Sequence, residues 1–571
     1  MASVTFENWA SPNSIASSIS MLYDQWQGYR SVNKSKWEEI EAYVYATDTN
    51  GLAGGNSHDH TTHVPIVSSI KDELEAIMYG VIIPHEDFLS WKPYSAEAAV
   101  KDVRHKVLAY VKNRHSLNGF EKTFRKLIQD LVIYGNAFVK VEHVDETDNN
   151  GVGYVGPKPK RISPYDIVFD PTRSSFEKTP KILRSKMTVG EFLDWADTLP
   201  ERDEEVVQGV LERRRSFGTL SKTEKHKSNQ YTPDGFTNME AYYHSGLVEV
   251  LMFYGDILDA ETGEYKKNRC ILVVDRVAML MDDECPNPNI YKGSWSEKPD
   301  NLWSQGPLDK IIGLNYQINH RENSKSDALD RYIYPDKVFV GDVEEVYNEE
   351  TGQTYYLAPE GGGVSDITPD TTVLTADMHQ DRLMQTARLA AGLPPQLMGF
   401  RTPGEKTAFE VQNLDDAALR KFLHKAAQFE MDLLEPAVSA EVSLGAENYK
   451  SVYKAITSDD EGLPILVEVT QDDLRSNGKL VPIGARRFAR QNQQMAMLNQ
   501  LSNTRLYEIV QTHLDTYKLT KVVEELGGFD KFEFIEKFVG IHDAAEAEFE
   551  ASVAQQNLVS KLEQPSLDEM I

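Results

Sequence analysis

Three groups of side chains have the types and spacing to do chemistry. His58, Asp59, His60 and His63 crowd one short segment. Imidazoles two and five residues apart can converge on a divalent ion, although a loop rich in Gly, Asn and His (Gly51 to His63) also reads as a solvated polar segment. Arg401 and Lys406 sit among glycines between two helical stretches, which fits an ordinary connection or a mobile loop carrying cations toward a polyanion. Arg486, Arg487 and Arg490 lie in one helical turn, with Arg486 and Arg490 sharing a face; a solvated face or an acidic neighbouring subunit accounts for them. The acids of EVLMFYGDILDAETGE stand near a glycine without EF-hand spacing and read as a turn.

Familiar catalytic signatures do not occur. There is no Walker A sequence, no GxGxxG after a strand, no GxSxG and no HExxH, so phosphoryl transfer, dinucleotide binding and zinc hydrolysis by those routes are unsupported, and no cofactor is implied. The two thiols, Cys270 and Cys285, are too few to staple 571 residues and fit no metal pattern, which points to a reducing compartment. With 60 basic and 89 acidic side chains the net charge is −29. Such a chain repels a polyanion at long range, which disfavours tight wrapping of nucleic acid but not its passage. Solubility alone is the simplest use of the charge.

These residues need elements to position them. Hydrophobic residues at 40% and aromatics at 10% supply a sizeable core, and the length suggests two to four structural units. No apolar run is long enough to span a membrane, and the N-terminal residues lack a secretory pattern. Helices are predicted over Leu22–Tyr45, Val67–Ile83, Ala96–Arg114 and Gly119–Tyr134, the last giving way at Gly135 to a strand, Ala137–Val144. A further strand ends at Asp170, and Thr188 opens a capped helix with Glu191 three residues on. Arg202–Asn238 reads as a polar, mobile surface excursion. Two strands follow, Leu247–Tyr254 and Arg269–Leu280.

Pro307–Arg331 is a helix with proline in its first turn. Apolar residues mark its first half; its second half is almost wholly polar, as in a helix that bridges units or lines a wet space. A β-rich insert follows, containing the hairpin-like EEVYNEETGQTYYLAP. A second helix, Asp377–Ala391, stops at Gly392. A long helix from Thr407 to about Leu444 should be interrupted near Pro436. A strand over Ile465–Thr470 precedes a helical region from Ile483 to about Ser560.

The order of these elements resembles that of tailed-bacteriophage portal proteins, most closely those of short-tailed phages, over nearly the whole chain. QDLVIYGNAFVKVEHV (Gln129 to Val144) is similar to the portal helix-to-strand segment with its Tyr-Gly-Asn turn. RISPYDIVFDPTRSSFEKTPKILRSKMTVGEF (Arg161 to Phe192) resembles a wing segment, WSQGPLDKIIGLNYQINHRENSKSDALD (Trp303 to Asp330) the first stem helix, and GEKTAFEVQNL (Gly404 to Leu414) the segment after the tunnel loop. The resemblance implies a mixed α/β (α+β), ring-forming portal fold. Residues 1–305 and 407–482 would form the wing, 306–331 and 377–392 the two stem helices, 332–376 a β-rich clip, 393–406 the tunnel loop and 483–571 a helical crown.

It further implies a non-enzymatic channel at one capsid vertex, through which double-stranded DNA is packaged and ejected. The expected partners are further copies of the chain (twelve in all), a separate terminase, later a head-to-tail adaptor, and the major capsid and scaffolding proteins. Assembly would take place in the host cytoplasm and residence in the virion. Arg401 and Lys406 would face DNA from the tunnel loop; Asn315, Asn319, Arg321 and Lys325 would line or pack the stem. Twelve helices about 10 Å apart leave a bore of about 28 Å, wider than a duplex of about 20 Å. An acidic wall, screened within about 8 to 10 Å, would keep DNA from adhering. Another ring-forming tail or virion protein and, more remotely, an acidic hydrolase with a carboxylate pair in a deep pocket are the alternatives.

Overall fold

The computed structural model describes residues 3–6, 12–47, 58–83, 88–94, 101–147, 153–199, 201–216, 247–259, 263–341, 343–348, 353–357, 363–367, 377–393, 421–448, 452–458, 464–475 and 478–484. The chain divides into two units, Met1–Ala455 with Glu468–Ala485, and Ile456–Val467 with Arg486–Ile571. The described residues of the second, 456–458 and 464–467, are strand. The tunnel loop beyond Leu393, the crown beyond Gly484, and Arg401, Lys406, Arg486, Arg487 and Arg490 lie outside the described residues.

The first unit is mixed helix and sheet, α+β. A short strand β1 (Ser3–Phe6) precedes a 34-residue helix α1 (Pro12–Tyr45), ten residues longer at its start than the sequence pattern suggests. Then come α2 (Ile66–Ile82), β2 (Leu89–Pro93), α3 (Lys101–Asn118), α4 (Phe120–Tyr134) and β3 (Asn136–Thr147). β4 (Gly153–Ile162), β5 (Ile167–Phe169), β6 (Lys181–Thr188), α5 (Val189–Asp197) and α6 (Glu204–Ser216) follow. β7 (Leu247–Asp259), β8 (Tyr265–Val274) and β9 (Ala278–Glu284) complete a six-stranded sheet ordered β5-β6-β7-β8-β9, with β1 parallel to the end of β7.

Both faces of the sheet's centre are buried, which explains why Ile167–Phe169, residues 250–253 and residues 271–274 run apolar without polar alternation. Leu251 and Phe253 of β7 pack with Ile15, Ile19, Tyr23 and Trp26 from the first half of α1. Val250 and Tyr254 point into the main core, which also takes Trp37 and Ile40 from the second half of α1. There Trp37, Phe138, Phe169 and Trp303 meet at ring distances of 4.5 to 6.1 Å. Arg30, buried in the middle of α1, donates from one guanidinium nitrogen to the carbonyls of Pro164, Tyr165 and Ile167, so its charge is solvated by backbone.

The Tyr-Gly-Asn turn has a steric cause. Gly135 caps α4 at φ +72, and a Cβ there would lie 2.4 Å from the backbone nitrogen of Gly306. Only glycine allows that approach. Asn136, fully buried, then donates to the carbonyls of Tyr134 and Ser304 and accepts from the Ser304 N–H. The turn thereby joins β3 to β10 (Ile290–Ser294), β11 (Ser296–Lys298) and β12 (Asn301–Gln305), the strands that lead into the middle of the chain.

Three expectations need correction. Residues 204–216 of the supposed mobile excursion are helix α6, with Val207 and Val210 buried on one side; a two-valine stripe is easily hidden among charges. Residues 217–246 lie outside the described residues. The strand expected over Arg269–Leu280 is two, β8 and β9, joined by a tight turn of residues 275–277 in which Asp275 and Arg276 both take positive φ. β4 was not expected because Pro157 and Pro159 interrupt it. It is an edge strand, and prolines at alternate positions are tolerated there, where their missing N–H groups face no partner. The capping box at Thr188 and Glu191 is present.

Candidate functional site: a histidine strap and a projecting β insert

The mid-chain helix begins with a 3-10 turn (Leu308–Lys310) and continues as α7 (Ile312–Ile333). Four strands follow, β13 (Asp336–Val340), β14 (Glu344–Asn348), β15 (Gln353–Leu357) and β16 (Gly363–Ile367). The chain returns through α8 (Asp377–Ala391), ended by Gly392 at φ +90. Gln380 near the start of α8 donates to Glu322 of α7, and the far end of α8 packs at the 3-10 turn, so the two helices run antiparallel. Beyond them, residues 421–448 are helical, widening to a π turn at Glu430–Leu434 immediately before Pro436. Proline removes one N–H and crowds the carbonyl four residues back, so the helix loosens there rather than breaking. Strands β17 (Tyr453–Ser458), β18 (Pro464–Val469) and β19 (Gly478–Pro482) follow, β19 pairing with β2.

Two motifs far apart in sequence meet on α7. Residues 58–64, directly before α2, lie extended along the helix and are held by its side chains. The Val64 N–H donates to Asn319 Oδ1 at 2.9 Å, and the Thr62 N–H to Asn323 Oδ1 at 2.8 Å. Asn323 Nδ2 returns a bond to the Thr62 carbonyl, and the His60 N–H reaches Asp327 Oδ1 at 3.1 Å. Four residues of helix rise about 6 Å and two residues of strand about 6.6 Å. Positions 319, 323 and 327 therefore keep step with 64, 62 and 60. The column of short side chains serves as the strand partner that this segment lacks.

The histidines fasten the strap. His58 Nδ1 lies 2.8 Å from Asp327 Oδ2, and its Nε2 lies 2.7 Å from Nδ1 of His320. His60 Nε2 is 2.7 Å from Asp330 Oδ2, and His63 Nδ1 is 3.0 Å from Asn319 Nδ2. Burial works to raise the Asp327 carboxyl, but the bonds from His58 and the His60 N–H outweigh it and hold the group below its ordinary value. Burial pushes the His63 imidazole down. Among the described residues no three His, Cys, Asp or Glu side chains are arranged to hold a metal ion; His58 places both ring nitrogens, and His60 and His63 one each, on α7.

Of the residues expected to line or pack the stem, Asn315 and Asn319 are fully buried within the chain, as is Asn323. Arg321 and Lys325 lie on the flanks of α7, partly exposed. Neither side-chain atom of Asn315 finds a hydrogen-bond partner among the described residues. Exposure rises toward the far end of the helix, where Tyr332, Ile333 and Tyr334 reach 49%, 55% and 79%.

The insert continues that trend. Among the described residues β13 pairs only with β16 and β14 only with β15, each in antiparallel register. All of β13 is exposed, with Val338, Phe339 and Val340 among its side chains, and so are Val346, Tyr347 and Ile367. Isolated two-stranded sheets are marginal in water, and open strand edges flanked by apolar side chains are templates for pairing.

Elsewhere, a cleft of about 680 Å³ interleaves Arg173, Lys292 and Lys298 with Glu177, Glu297 and Asp432. Burial lowers the Lys292 amine to about 8. Burial, and then the neighbouring Glu297, raise the Asp432 carboxyl, against which Lys292 acts. Cys270 and Cys285 are free thiols, and no described helix is long and apolar enough to cross a membrane. Comparison with family models and with curated proteins finds no match for this chain.

Proposed function

We propose that this chain is a portal protein of a tailed bacteriophage: one copy of a ring, expected to hold twelve, at a single capsid vertex. It acts as a conduit and docking platform, not as a catalyst. The observation that carries the proposal is the antiparallel α7/α8 pair bearing a β insert with open strand edges, on which exposed apolar side chains (Val338, Phe339, Val340, Tyr347, Ile367) stand among acids. In a ring the helix pairs stand side by side around the axis as the stem. The insert serves as the clip, its edges completed by neighbouring copies and its outer surface offered first to terminase and then to a tail adaptor. Double-stranded DNA passes along the axis, with Arg401 and Lys406 reaching it from the tunnel loop, while wing and crown face the coat and scaffolding proteins.

The net charge of −29 per chain supports the same reading. Copies summed around a channel present a wall that DNA slides past without adhering, apart from sparse cations. Light scattering after size exclusion, followed by negative-stain imaging, tests the proposal. A ring is expected, at about 775 kDa for twelve copies of a 64.6 kDa chain, with a bore wider than a duplex. A monomer refutes it, and a solid or axis-free oligomer favours another virion structural protein.

A further inference from the structure

The contact between His58 and His320 has a chemical consequence that holds whether or not the chain forms rings. Two imidazoles joined Nε2 to Nδ1 at 2.7 Å share one hydrogen: one nitrogen donates and the other must accept. Adding a first proton is accommodated, because the imidazolium at His58 lies against Asp327 at 2.8 Å. A second proton is not. Both facing nitrogens would then carry hydrogens with no acceptor between them, and two cations would stand ring to ring at a centroid distance of 4.6 Å.

We propose that the strap of residues 58–64 is an acid-released latch, opened when His58 and His320 are both protonated and His320 swings away from α7 into solvent. His320 is exposed and, apart from His58, meets only the parallel ring of Tyr316 among the described residues, so it is the partner that can swing out; His58 is enclosed. The ionisable groups facing the pair are Asp327 and Tyr316 on α7, with His60 and Asp330 one step along the strap. The neighbouring His60–Asp330 pair is solvent-accessible and holds weakly. Further acidification neutralises Asp327 and removes the common acceptor of the His58 ring and the His60 N–H. The strap runs directly into α2, so its release loosens the grip of the N-terminal helices on the helix that carries the insert.

Amide hydrogen exchange by mass spectrometry on the full-length chain, at pH 7.5 and pH 5.0 and corrected for intrinsic rates, tests the latch. The amides of His60, Thr62 and Val64 are expected to be protected at pH 7.5. They should lose protection at pH 5.0, by up to about tenfold per pH unit below the second protonation. In His320→Asn the side-chain amide can accept from a protonated His58 or donate to a neutral one, so the strap should stay protected at both pH values. Equal protection of the wild-type strap at the two pH values overturns the proposal, as does a pH step that survives in His320→Asn. Loss of protection spreading equally to β7 and β8 also overturns it, because acid would then be unfolding the whole unit.

Discussion

Asn315 and Asn323 offer a test of what holds α7 in place, because they are the same residue on the same helical face in different hydrogen-bonding circumstances. Both are fully buried. Asn323 accepts from the Thr62 N–H at 2.8 Å and donates to the Thr62 carbonyl at 3.2 Å. Asn315 leaves its amide nitrogen and oxygen without partners among the described residues. Truncation to alanine removes the same atoms at each site and gives the same gain in helix propensity, so those terms cancel in the comparison. What remains is hydrogen bonding. Asn323→Ala breaks two bonds worth about 1 kcal/mol each and strands the backbone groups of Thr62. Asn315→Ala removes two buried unpaired groups, whose desolvation costs about 1 to 3 kcal/mol. The two variants should therefore differ by at least about 2 kcal/mol, with Asn323→Ala destabilised and Asn315→Ala neutral or stabilised. Urea unfolding followed by tryptophan fluorescence measures both. Midpoints that shift alike, or in the reverse order, would refute the claim that the column of asparagines binds the strap by hydrogen bonds rather than by packing.

Other perturbations give equally definite outcomes. Gly135→Ala, forcing a Cβ to 2.4 Å from the Gly306 nitrogen at positive φ, should cost about 3 kcal/mol or more and be read as a fall in Tm. Lys292→Met should stabilise at pH 7 by about 2 kcal/mol, because burial lowers the amine to about 8 and the fold holds its charge at a cost. The unfolded chain keeps a proton that the fold gives up between about pH 8 and 10.5. Wild-type stability therefore gains from this group as pH rises through that window, and the advantage of the variant should vanish above it; an advantage that persists there counts against the assignment. Val340→Asp with Tyr347→Asp, both well exposed in the single chain, should leave the monomer's stability within about 0.5 kcal/mol while lowering the mass seen by light scattering. An unchanged mass removes the insert from the assembly contact.

Local chemistry was legible wherever one residue dictates its own surroundings. Thr188 and Glu191 formed their capping box, Gly392 ended α8, and Pro436 marked the place where a helix loosens, because each acts through backbone geometry within a turn or two. The hairpin β14–β15 was legible from its alternation around a polar turn. β4 and α6 were not: propensity argued against the first, and the second lacked a clear apolar period. Two prolines are compatible with a strand only at an edge, and which strand lies at an edge is decided by the rest of the sheet. The two valines that seat α6 carry too little periodicity to stand out among its charges.

The strap shows a subtler limit, and also a signal that was available. Its two halves are more than 250 residues apart in sequence, and each looked solvated alone: a histidine-rich loop and the polar half of a helix. Polar character was taken to mean contact with water, yet a second kind of partner satisfies short amides equally well, namely backbone that has no sheet of its own. Asn315, Asn319, Asn323 and Asp327 recur every four residues and continue the buried side that Ile312 and Ile318 begin. Asparagine is a poor helix former. A repeated column of it, in line with an apolar stripe, therefore has to be compensated by contacts, and exposed to solvent it would have none. Such a column on a helix implies an extended segment of opposite direction beside it, with every second residue in register, and a loop of the same chain with unpaired amides is the place to look for it.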